Sequence, residues 1–369
     1  MHFRETRRRA VQRPACFVSL TLGRSACTGL NDDPCIRPFW SALPWSRNRG
    51  TVAHLLGFQL GRQSPTALGL RATRLGRRAW RPSILGLSLS NGPVPTSLLI
   101  FITGGTRGLG WALAREFVER GHRVAVCGRN VTGIERARNE LPSSSLFAQC
   151  CDVSDAVALE SFASAACAHF EAEAMHLWIN NAGSVAQRGR MIDLPPAALR
   201  EVIETNLLGT MLGCRTAARC MVRSGDVHGH IFNVDGAGVF GNGTPYFAAY
   251  GATKRAMPQL MRSLNREFAS LNVSVHTFSP GMILTDLLLR DSTAQMRRFF
   301  NLLAERPETV AAFLAPRLVR VAQTTPPLRG TYIRYKTLPA AFGNIAWNAL
   351  WPGRRYRFFD RNGNPVKPT

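Results

Sequence analysis

The chain has 369 residues, of which 45% are hydrophobic and 19% are charged. This balance, with a mean hydropathy of −0.06, excludes a wholly disordered chain and a collagen-like or coiled-coil protein. No apolar run approaches the roughly 18 residues that a membrane-spanning helix needs, which disfavours an integral membrane protein. The formal charge is +23, from 46 basic and 23 acidic side chains, and its meaning depends on where it lies.

About half of this charge lies in the first 100 residues. They contain 15 Arg, no Lys and three acidic residues, and they show no sustained helical or strand periodicity. A composition that is rich in Arg, contains Ser and is poor in acids is typical of an organelle transit peptide. We therefore predict a plastid transit peptide or disordered leader over residues 1–95, with an ordered basic domain as the alternative.

The remaining positive charge does not have the pattern of a nucleic-acid surface. Of the 46 basic residues 43 are Arg, and they are scattered along the chain. Nucleic-acid binding favours basic residues clustered on one face with aromatic residues between them. The nine cysteines include no C-x-x-C pair. We therefore expect no nucleic-acid partner and no metal site.

From residue 97 onward, short apolar strands alternate with helical patterns. The first helical patterns cover residues 108–121 and 133–141. The predicted strands lie at residues 97–103, 123–127, 146–150, 176–179, 230–234, 273–278 and 331–335. This alternation predicts an α/β fold: a single Rossmann-like doubly wound parallel sheet with helices on both faces. Ligands bind such sheets at the carboxyl ends of the strands.

The end of the chain combines an apolar segment with basic residues. Residues 340–351 have a helix-like apolar pattern, and Arg354, Arg355 and Arg357 follow. Such a tail either packs on the core or lies on a membrane surface, where its arginines would face anionic lipid. We favour packing on the core.

A glycine-rich turn follows the first predicted strand. The sequence TGGTRGLG at residues 103–110 places Gly104, Gly108 and Gly110 at the start of a helical pattern. Glycines allow a pyrophosphate to approach the backbone closely, and the start of a helix offers it unpaired N–H groups and a positive dipole end. The position between a strand and a helix predicts a dinucleotide-binding loop, with a turn that holds no ligand as the alternative.

Two arginines bear on the choice of dinucleotide. A fold that binds NAD carries an acidic residue at the end of its second strand, for the ribose 2′-hydroxyl. This chain has Arg129 there, and Arg107 projects from the glycine turn. Guanidinium groups match the charge and the oxygens of a 2′-phosphate. We therefore predict NADP(H) as the cofactor.

Polar and small residues follow the third and fourth strands. Asp152 stands where a carboxylate can accept a hydrogen bond from the adenine amino group, and Asn181, Ala182 and Gly183 leave room for adenosine. Asp and Asn are also common helix caps, so the order of these residues along the chain supports the prediction more than any one of them does.

The candidate reactive pair is Tyr250 and Lys254, which a helix places on one face at i and i+4. A phenol with an ordinary pKa of about 10 is a poor acid–base catalyst at neutral pH. A neighbouring ammonium favours the phenolate, so we expect Lys254 to lower the pKa of Tyr250 towards neutral. Such a tyrosine can protonate a carbonyl oxygen.

Together these residues resemble the short-chain dehydrogenase/reductase family, in order and in spacing, over about residues 97–290. The resemblance implies that Tyr250, Lys254 and Asn206 are catalytic, that Lys254 also binds the ribose hydroxyls, and that Asn206 holds a water in a proton relay. It places residues 280–285 along the nicotinamide. The cofactor-binding residues that it implies are Gly104, Thr106, Arg107, Gly108, Leu109, Gly110, Arg129, Asp152, Val153, Asn181, Ala182, Gly183, Tyr250, Lys254, Pro280, Gly281 and Thr285.

One departure from the family pattern concerns a serine that the family usually places shortly before the tyrosine. This chain reads NVDGAG at residues 233–238, where neither Gly236 nor Ala237 has a side chain that donates a hydrogen bond. Three explanations stay open. Asp235 or Thr244 takes over after a local rearrangement, the Tyr250 hydroxyl polarises the carbonyl alone, or the reductase has lost its activity.

Within the family, the chain is similar to the chlorophyll(ide) b reductases of the non-yellow-colouring type. This similarity rests on FNVDGAG at 232–238, YGATK at 250–254, FSPGM at 278–282, AERPETV at 304–310 and YIRY at 332–335. It implies reduction by NADPH of the 7-formyl group of chlorophyll b or chlorophyllide b to a hydroxymethyl group. A plastid reductase of another apolar carbonyl substrate and a non-catalytic NADP-binding protein are the alternatives.

The similarity also implies a domain organisation and a location. Residues 96–290 would form the NADP-binding core, and residues 291–369 would add apolar substrate-lid helices, the last strand and a basic tail to the same domain. The apolar stretch at 282–303 suits a porphyrin-like ring with a hydrocarbon tail, with burial in an ordinary core as the alternative. We expect a homo- or hetero-oligomer on the stromal side of the thylakoid membrane, with the membrane surface and a light-harvesting complex as partners.

Overall fold

The computed structural model describes residues 97–172, 174–223, 227–325, 327–335, 343 and 356–366. The predicted leader at 1–95 lies outside the described residues. So do Arg354, Arg355 and, apart from residue 343, the predicted apolar helix at 340–351.

Seven parallel strands form one sheet in the order β3-β2-β1-β4-β5-β6-β7. Their bounds are β1 Leu99–Thr103, β2 Arg123–Gly128, β3 Leu146–Cys150, β4 Leu177–Asn180, β5 Gly229–Val234, β6 Val273–Ser279 and β7 Tyr332–Arg334. The strand order reverses between β1 and β4, and a crevice for a ligand forms where the chain leaves these two strands in opposite directions. The predicted Rossmann-like sheet is confirmed.

Helices connect the strands and cover both faces of the sheet. They are α1 Gly108–Glu119, α2 Val131–Glu140, α3 Ala156–His169, α4 Pro196–Ile203, α5 Gly209–Arg223, α6 Ala248–Glu267, α7 Asp286–Leu289, α8 Ala294–Leu303 and α9 Pro307–Ala322. Local sequence explains several of their starts. Asn130 accepts a hydrogen bond from the backbone N–H of Gly133, so α2 begins two residues before the predicted position. Asp155 caps α3 in the same way.

Alternate residues of the strands face two separate hydrophobic clusters. Ile100 and Ile102 of β1 pack with α1, α2 and α9, whereas Leu99 and Phe101 pack with α3, α5 and α6. All five residues of β1 are buried, as expected for a central strand of a parallel sheet covered on both faces. This double burial holds the carboxyl ends of β1, β4 and β5 in fixed positions.

The apolar stretch at 282–303 packs largely on itself. Phe300 and Ala304, together with Phe359 from the tail, form a small buried cluster. The apolar side chains packed around this cluster include Met282, Leu284, Leu288, Leu289 and Met296. Among its large apolar side chains Phe300 is buried, Leu287 and Phe299 are exposed, and the others are half-buried. The predicted substrate surface therefore stays a prediction, and Phe300 fits the alternative, an ordinary core.

The described part of the tail packs on α8. The Asn301 side chain accepts hydrogen bonds from the backbone N–H groups of Phe358 and Phe359 and donates one to the Phe359 carbonyl. Arg357 forms an ion pair with Glu305 at 2.9 Å, and both side chains are mostly buried. Arg357 therefore belongs to the core side of the tail rather than to a lipid-facing surface. In the described part of the chain, no helix has the length and apolar character needed to cross a bilayer.

A row of histidines is buried near the amino-terminal part of β5 and β6. The rings of His228 and His230 lie 5.0 Å apart, and His230 stacks on His276 at 5.2 Å with a 3.0 Å contact between their ring nitrogens. Burial lowers the pKa of His230 to about 3, and it also places the pKa of His276 well below its ordinary value. The row is therefore neutral at physiological pH.

Replacing His230 by Gln is expected to make the fold less sensitive to acid. Below pH 6.5 the unfolded chain takes up a proton at His230, whereas the buried ring stays neutral down to about pH 3, so stability is lost as the pH falls through this window. The loss at pH 5 relative to pH 7.5 is about 2 kcal/mol for this group. Urea unfolding at the two pH values measures it.

His169 provides the matched control, because its ring is exposed at the end of α3. His169→Gln should show the same loss of unfolding free energy between pH 7.5 and pH 5 as the unaltered chain. If His230→Gln lost as much unfolding free energy between pH 7.5 and pH 5 as the unaltered chain, His230 would not be a source of the acid sensitivity.

Candidate active site

The loops after β1 and β4 meet at the crevice where the strand order reverses. The Asn181 side chain donates hydrogen bonds to the carbonyl oxygens of Thr103 and Gly104, both at 3.0 Å. The Thr103 hydroxyl oxygen accepts from the backbone N–H groups of Asn181 and Ala182, both at 3.1 Å. These bonds join the two loops, so the small residues predicted to surround adenosine lie beside the glycine turn.

The glycines of this turn are required by close contacts. Gly104 has a φ of +63°, and a Cβ there would lie 2.9 Å from the Ala182 Cα. A Cβ on Gly110 would collide with the Gly104 carbonyl and with the Asn181 amide. Helix α1 then begins with no side-chain cap on its first turn, which leaves its N–H groups for an anion. The turn therefore fits a dinucleotide pyrophosphate.

Thr106, Gly108 and Leu109 complete the turn in different ways. Thr106 is buried against Gly128 and Gly133, and Leu109 is part of the core under the crevice. Gly108 has a φ of +54°, and a Cβ there would lie 3.0 Å from the Thr285 methyl carbon, which brings the loop after β6 against the glycine turn. Buried Pro280, and Gly281 with a φ of +74°, begin that loop.

The two arginines predicted to bind a 2′-phosphate lie at the rim of the crevice and are more than half exposed. Arg129 lies 3.8 Å from an Asp152 carboxylate oxygen and 3.6 Å from one of Glu201. Arg107 lies 3.6 Å from Asp286. Such exposed pairs are worth about 0–1 kcal/mol, so both guanidinium groups can exchange these partners for a phosphate at little cost.

Asp152 and Val153 follow β3 at the end of the crevice predicted to bind adenosine. One oxygen of Asp152 accepts hydrogen bonds from the Ser154 backbone N–H at 2.9 Å and from the Ser154 hydroxyl at 2.7 Å. Partial burial works against ionisation, but these bonds and Arg129 lower the pKa of Asp152 below its ordinary value. Val153 is buried and closely approaches Gly209 at the start of α5.

Asn206 lies in a π-helical turn, Glu204–Leu208, between α4 and α5. Its fully buried amide accepts from the Ser184 backbone N–H at 2.7 Å and donates to the Ser184 carbonyl at 2.8 Å. Its backbone carbonyl accepts from the Thr210 hydroxyl at 2.8 Å. In the described structure Asn206 thus fixes the loop after β4. The water-holding role implied by the family resemblance stays a prediction.

Ser184 and Glu201 were not predicted to belong to the site. The Ser184 hydroxyl donates to a Glu201 carboxylate oxygen at 2.8 Å, and the same carboxylate faces Arg129. Glu201 therefore links Arg129 at the rim of the crevice to the loop that Asn206 holds. The position of Ser184 directly after the asparagine–alanine–glycine sequence at 181–183 was the only signal available in the sequence.

Tyr250 and Lys254 lie on α6 and rest against the end of β5. The Lys254 ammonium donates to the Val234 carbonyl at 3.0 Å and lies 5.6 Å from the centroid of the Tyr250 ring. The Tyr250 hydroxyl is so close to Gly236 that a Cβ there would collide with it. The predicted pair is thus brought together at the carboxyl end of a central strand.

The expected lowering of the Tyr250 pKa by Lys254 is wrong for this arrangement. Burial raises the pKa of Tyr250 above its ordinary value, and the Asp235 carboxylate raises it further. Burial also lowers the pKa of Lys254 to about 8, although Asp235 opposes this shift. Tyr250 is therefore protonated at neutral pH, and Lys254 is charged but close to its titration point.

The structure also narrows the choice of a substitute for the family serine. The Thr244 hydroxyl donates to the Phe247 carbonyl at 3.2 Å and packs against Gly251, so it serves the start of α6. Asp235 is 3% exposed, and one of its oxygens accepts from the Tyr332 hydroxyl at 2.5 Å. Thr244 is thus engaged at the start of α6, and Asp235 is engaged with Tyr332.

A mostly apolar cleft of about 240 Å³ opens beside Tyr250. It is lined by Val185, Gln187, Leu194, Ala198, Leu199, Val202, Tyr246, Phe247, Ala248, Ala249 and Tyr250. Gln187 contributes the one side-chain amide of this lining. In the described residues, no group of three or more His, Cys, Asp and Glu side chains is placed to hold a metal ion.

Comparison with known proteins identifies relatives over most of the chain. A family model described as short chain dehydrogenase matches residues 98–295. The chain is 37% identical to a rice protein named chlorophyll(ide) b reductase NOL, chloroplastic, over 88% of this chain and 93% of that protein. It is 38% identical to the Arabidopsis thaliana protein of the same name, over 72% of this chain and 78% of that one.

Solved structures share the fold. A 3-ketoacyl-(acyl-carrier-protein) reductase from Brucella melitensis, complexed with NADH, superposes with a TM-score of 0.57 at 22% identity, over 64% of this chain and 96% of that one. An alcohol dehydrogenase from the archaeon Thermococcus sibiricus, complexed with 5-hydroxy-NADP, gives a TM-score of 0.55 at 23% identity, over 66% and 97%. From its family match and its relatives, the chain belongs to the short-chain dehydrogenase/reductase family of oxidoreductases.

Proposed function

We propose that the chain reduces the 7-formyl group of chlorophyll b or chlorophyllide b to a hydroxymethyl group, with NADPH as the reductant. The observation that carries the proposal is the pairing of Tyr250 and Lys254 at the end of β5, beside a crevice that fits a dinucleotide. The substrate is inferred from the relatives named chlorophyll(ide) b reductase, at 37–38% identity. This reaction is the first step in converting chlorophyll b to chlorophyll a.

The crevice is proposed to bind NADP(H) along its length. The N–H groups at the start of α1 would bind the pyrophosphate, Arg107 and Arg129 the 2′-phosphate, and Asp152 the adenine amino group. Lys254 would also bind the ribose hydroxyls, and the loop at 280–285 would lie along the nicotinamide. When bound, the nicotinamide supplies a hydride to the carbonyl carbon.

The chain itself supplies the proton. Because the pKa of Tyr250 is raised, its hydroxyl is protonated at neutral pH and can donate to the carbonyl oxygen as negative charge develops there. The phenolate that remains is stabilised by the nearby Lys254 ammonium. Since the charge on Lys254 is lost as the pH rises through about 8, reduction should slow above that pH.

The site is suited to an edge of a large substrate rather than to the whole of it. The 240 Å³ of the cleft beside Tyr250 includes open solvent, so the cleft does not enclose a macrocycle. A macrocycle would therefore lie outside the cleft with its formyl edge at Tyr250. Large apolar side chains are exposed on the segments that follow β4, β5 and β6, namely Met191, Ile192, Phe240, Tyr246, Leu287 and Phe299. These side chains would contact the ring and its tail.

The location and the remaining partners are part of the same proposal. The names of the relatives include the word chloroplastic, and residues 1–95 have the composition of a transit peptide. We place the protein in the chloroplast, on the stromal side of the thylakoid membrane, as a homo- or hetero-oligomer that meets pigment at the membrane surface or in a light-harvesting complex.

The full chain, incubated with NADPH and chlorophyllide b, is expected to form the hydroxymethyl pigment, and NADH should support a lower rate. Tyr250→Phe removes the proton donor and should reduce turnover by about 10²- to 10⁴-fold. Chromatography of the pigments measures product. NADPH binding, followed by tryptophan fluorescence, should be retained in the variant. Turnover by Tyr250→Phe at the full rate would contradict the assignment of the proton donor, and lack of product with the unaltered chain would contradict the proposed reaction.

Introducing a serine at position 236, next to the position of the family serine, is expected to lower turnover. A Cβ on Gly236 would collide with the Tyr250 hydroxyl, so Gly236→Ser must displace the proton donor. We expect at least a tenfold loss in turnover, measured by the same pigment assay, with NADPH binding preserved.

Ala237→Ser is the matched control, because Ala237 is exposed and holds the position of the family serine by spacing. It should leave turnover within twofold of the unaltered chain. A large gain in turnover from Gly236→Ser would show that the site lacks the serine rather than excluding it.

A further inference from the structure

Three consecutive residues at the end of β5 meet the catalytic pair. The carbonyl of Val234 accepts the hydrogen bond from Lys254 at 3.0 Å, and Gly236 lies directly against the Tyr250 hydroxyl. Asp235 stands between them, and its backbone N–H continues the ladder to β6 by donating to the Phe278 carbonyl at 3.0 Å. A shift of the Asp235 backbone would therefore also shift the Val234 carbonyl that Lys254 contacts and the Gly236 backbone that Tyr250 contacts.

The Asp235 carboxyl group is buried and only partly hydrogen-bonded. One oxygen accepts from the Tyr332 hydroxyl of β7 at 2.5 Å. The other oxygen is shielded from solvent, and the Ser279 side chain is the second hydrogen-bonding group beside this carboxyl. Burying a carboxylate costs free energy, so a buried carboxylate next to a catalytic pair calls for a functional explanation.

The groups around this carboxyl come from three elements. They are Tyr332 and Arg334 of β7, Ser279 of β6 and Lys254 of α6. Burial raises the pKa of Asp235, and all four groups act in the opposite direction, towards the carboxylate. In return, Asp235 favours the charged form of Lys254 against burial.

We propose that Asp235 is a positioning residue: its carboxylate, held by Tyr332, keeps the Lys254 ammonium charged and seated at the end of β5 beside Tyr250. In this way Asp235 compensates for the lack of a polar side chain at Gly236. Its buried carboxylate maintains the positive charge of Lys254, and that charge acts on Tyr250. The inference rests on the proposed function for its kinetic consequence only. The charge state of Lys254 is a property of the chain alone.

The first experiment observes Lys254 directly and needs neither substrate nor cofactor. The sequence contains only three lysines, at positions 254, 336 and 367, so biosynthetic labelling with ¹³Cε-lysine gives three signals, and Lys254→Arg assigns one of them. In the unaltered full chain, Lys254 should titrate near pH 8. Asp235→Asn keeps the shape and a hydrogen-bond acceptor for Tyr332 but removes the charge, so Lys254 should titrate at lower pH.

The second experiment follows pigment reduction by the same variant across pH. Because reduction requires charged Lys254, the loss of turnover at alkaline pH should begin at lower pH in Asp235→Asn. Well below this transition, turnover should return to within about threefold of the unaltered chain, and KM for the pigment should not change. A merely structural role for Asp235 would lower turnover at every pH and leave the transition in place.

Glu119→Gln is the control for charge. Glu119 is an exposed carboxylate on α1 that pairs with Arg115, and its removal should leave the Lys254 titration unchanged. A Lys254 titration that is the same in Asp235→Asn and in the unaltered chain would overturn the inference, whatever the enzyme reduces. A shifted titration without pigment reduction would support the inference and count against the proposed function.

If Asp235→Asn fails to fold, Tyr332→Phe carries the test. This variant removes a hydrogen bond that lowers the pKa of Asp235, so a smaller fraction of Asp235 carries the negative charge that stabilises the Lys254 ammonium. The titration of Lys254 should then move in the same direction by a smaller amount, and an unmoved titration in the folded variant would overturn the inference.

Discussion

The hydrogen bond from the Lys254 ammonium to the Val234 carbonyl is the contact on which the site depends. It joins α6, which carries the proposed proton donor Tyr250, to the end of β5, which borders the crevice at the carboxyl ends of the strands. Burying an ammonium is costly, and here it lowers the pKa of Lys254 to about 8. Arginine, which supplies 43 of the 46 basic side chains, has a larger planar head group and would need more room at this buried contact.

Much of the fold was predictable because its signals are local. The apolar strands, the glycine turn after β1 and the spacing of Tyr250 and Lys254 are all readable within short stretches of sequence. A buried parallel strand must be apolar on both faces, and a turn that approaches a pyrophosphate closely needs glycine at the points of closest contact. These requirements leave few alternatives, so β1 to β6 were found within a few residues of their observed bounds.

The features that could not be predicted depend on contacts between distant parts of the chain. Asp235 and Tyr332 are 97 residues apart, and nothing local indicates that the strand β7 brings a phenol to that carboxylate. The direction of the Tyr250 pKa was predicted wrongly because burial and Asp235 outweigh the ammonium that the spacing suggests. Nothing local in the apolar stretch after β6 indicates that Phe359 from the tail packs with Phe300 in a buried cluster.

The central claim is that this site reduces an aldehyde on a chlorophyll-type ring with a proton from Tyr250 and a hydride from NADPH. The most direct measurement uses NADPH labelled with deuterium at the transferable position of the nicotinamide. Mass spectrometry of the product from chlorophyllide b should show one deuterium on the carbon of the new hydroxymethyl group. Reduced pigment without deuterium, or no reduced pigment while the labelled cofactor binds, would contradict the claim.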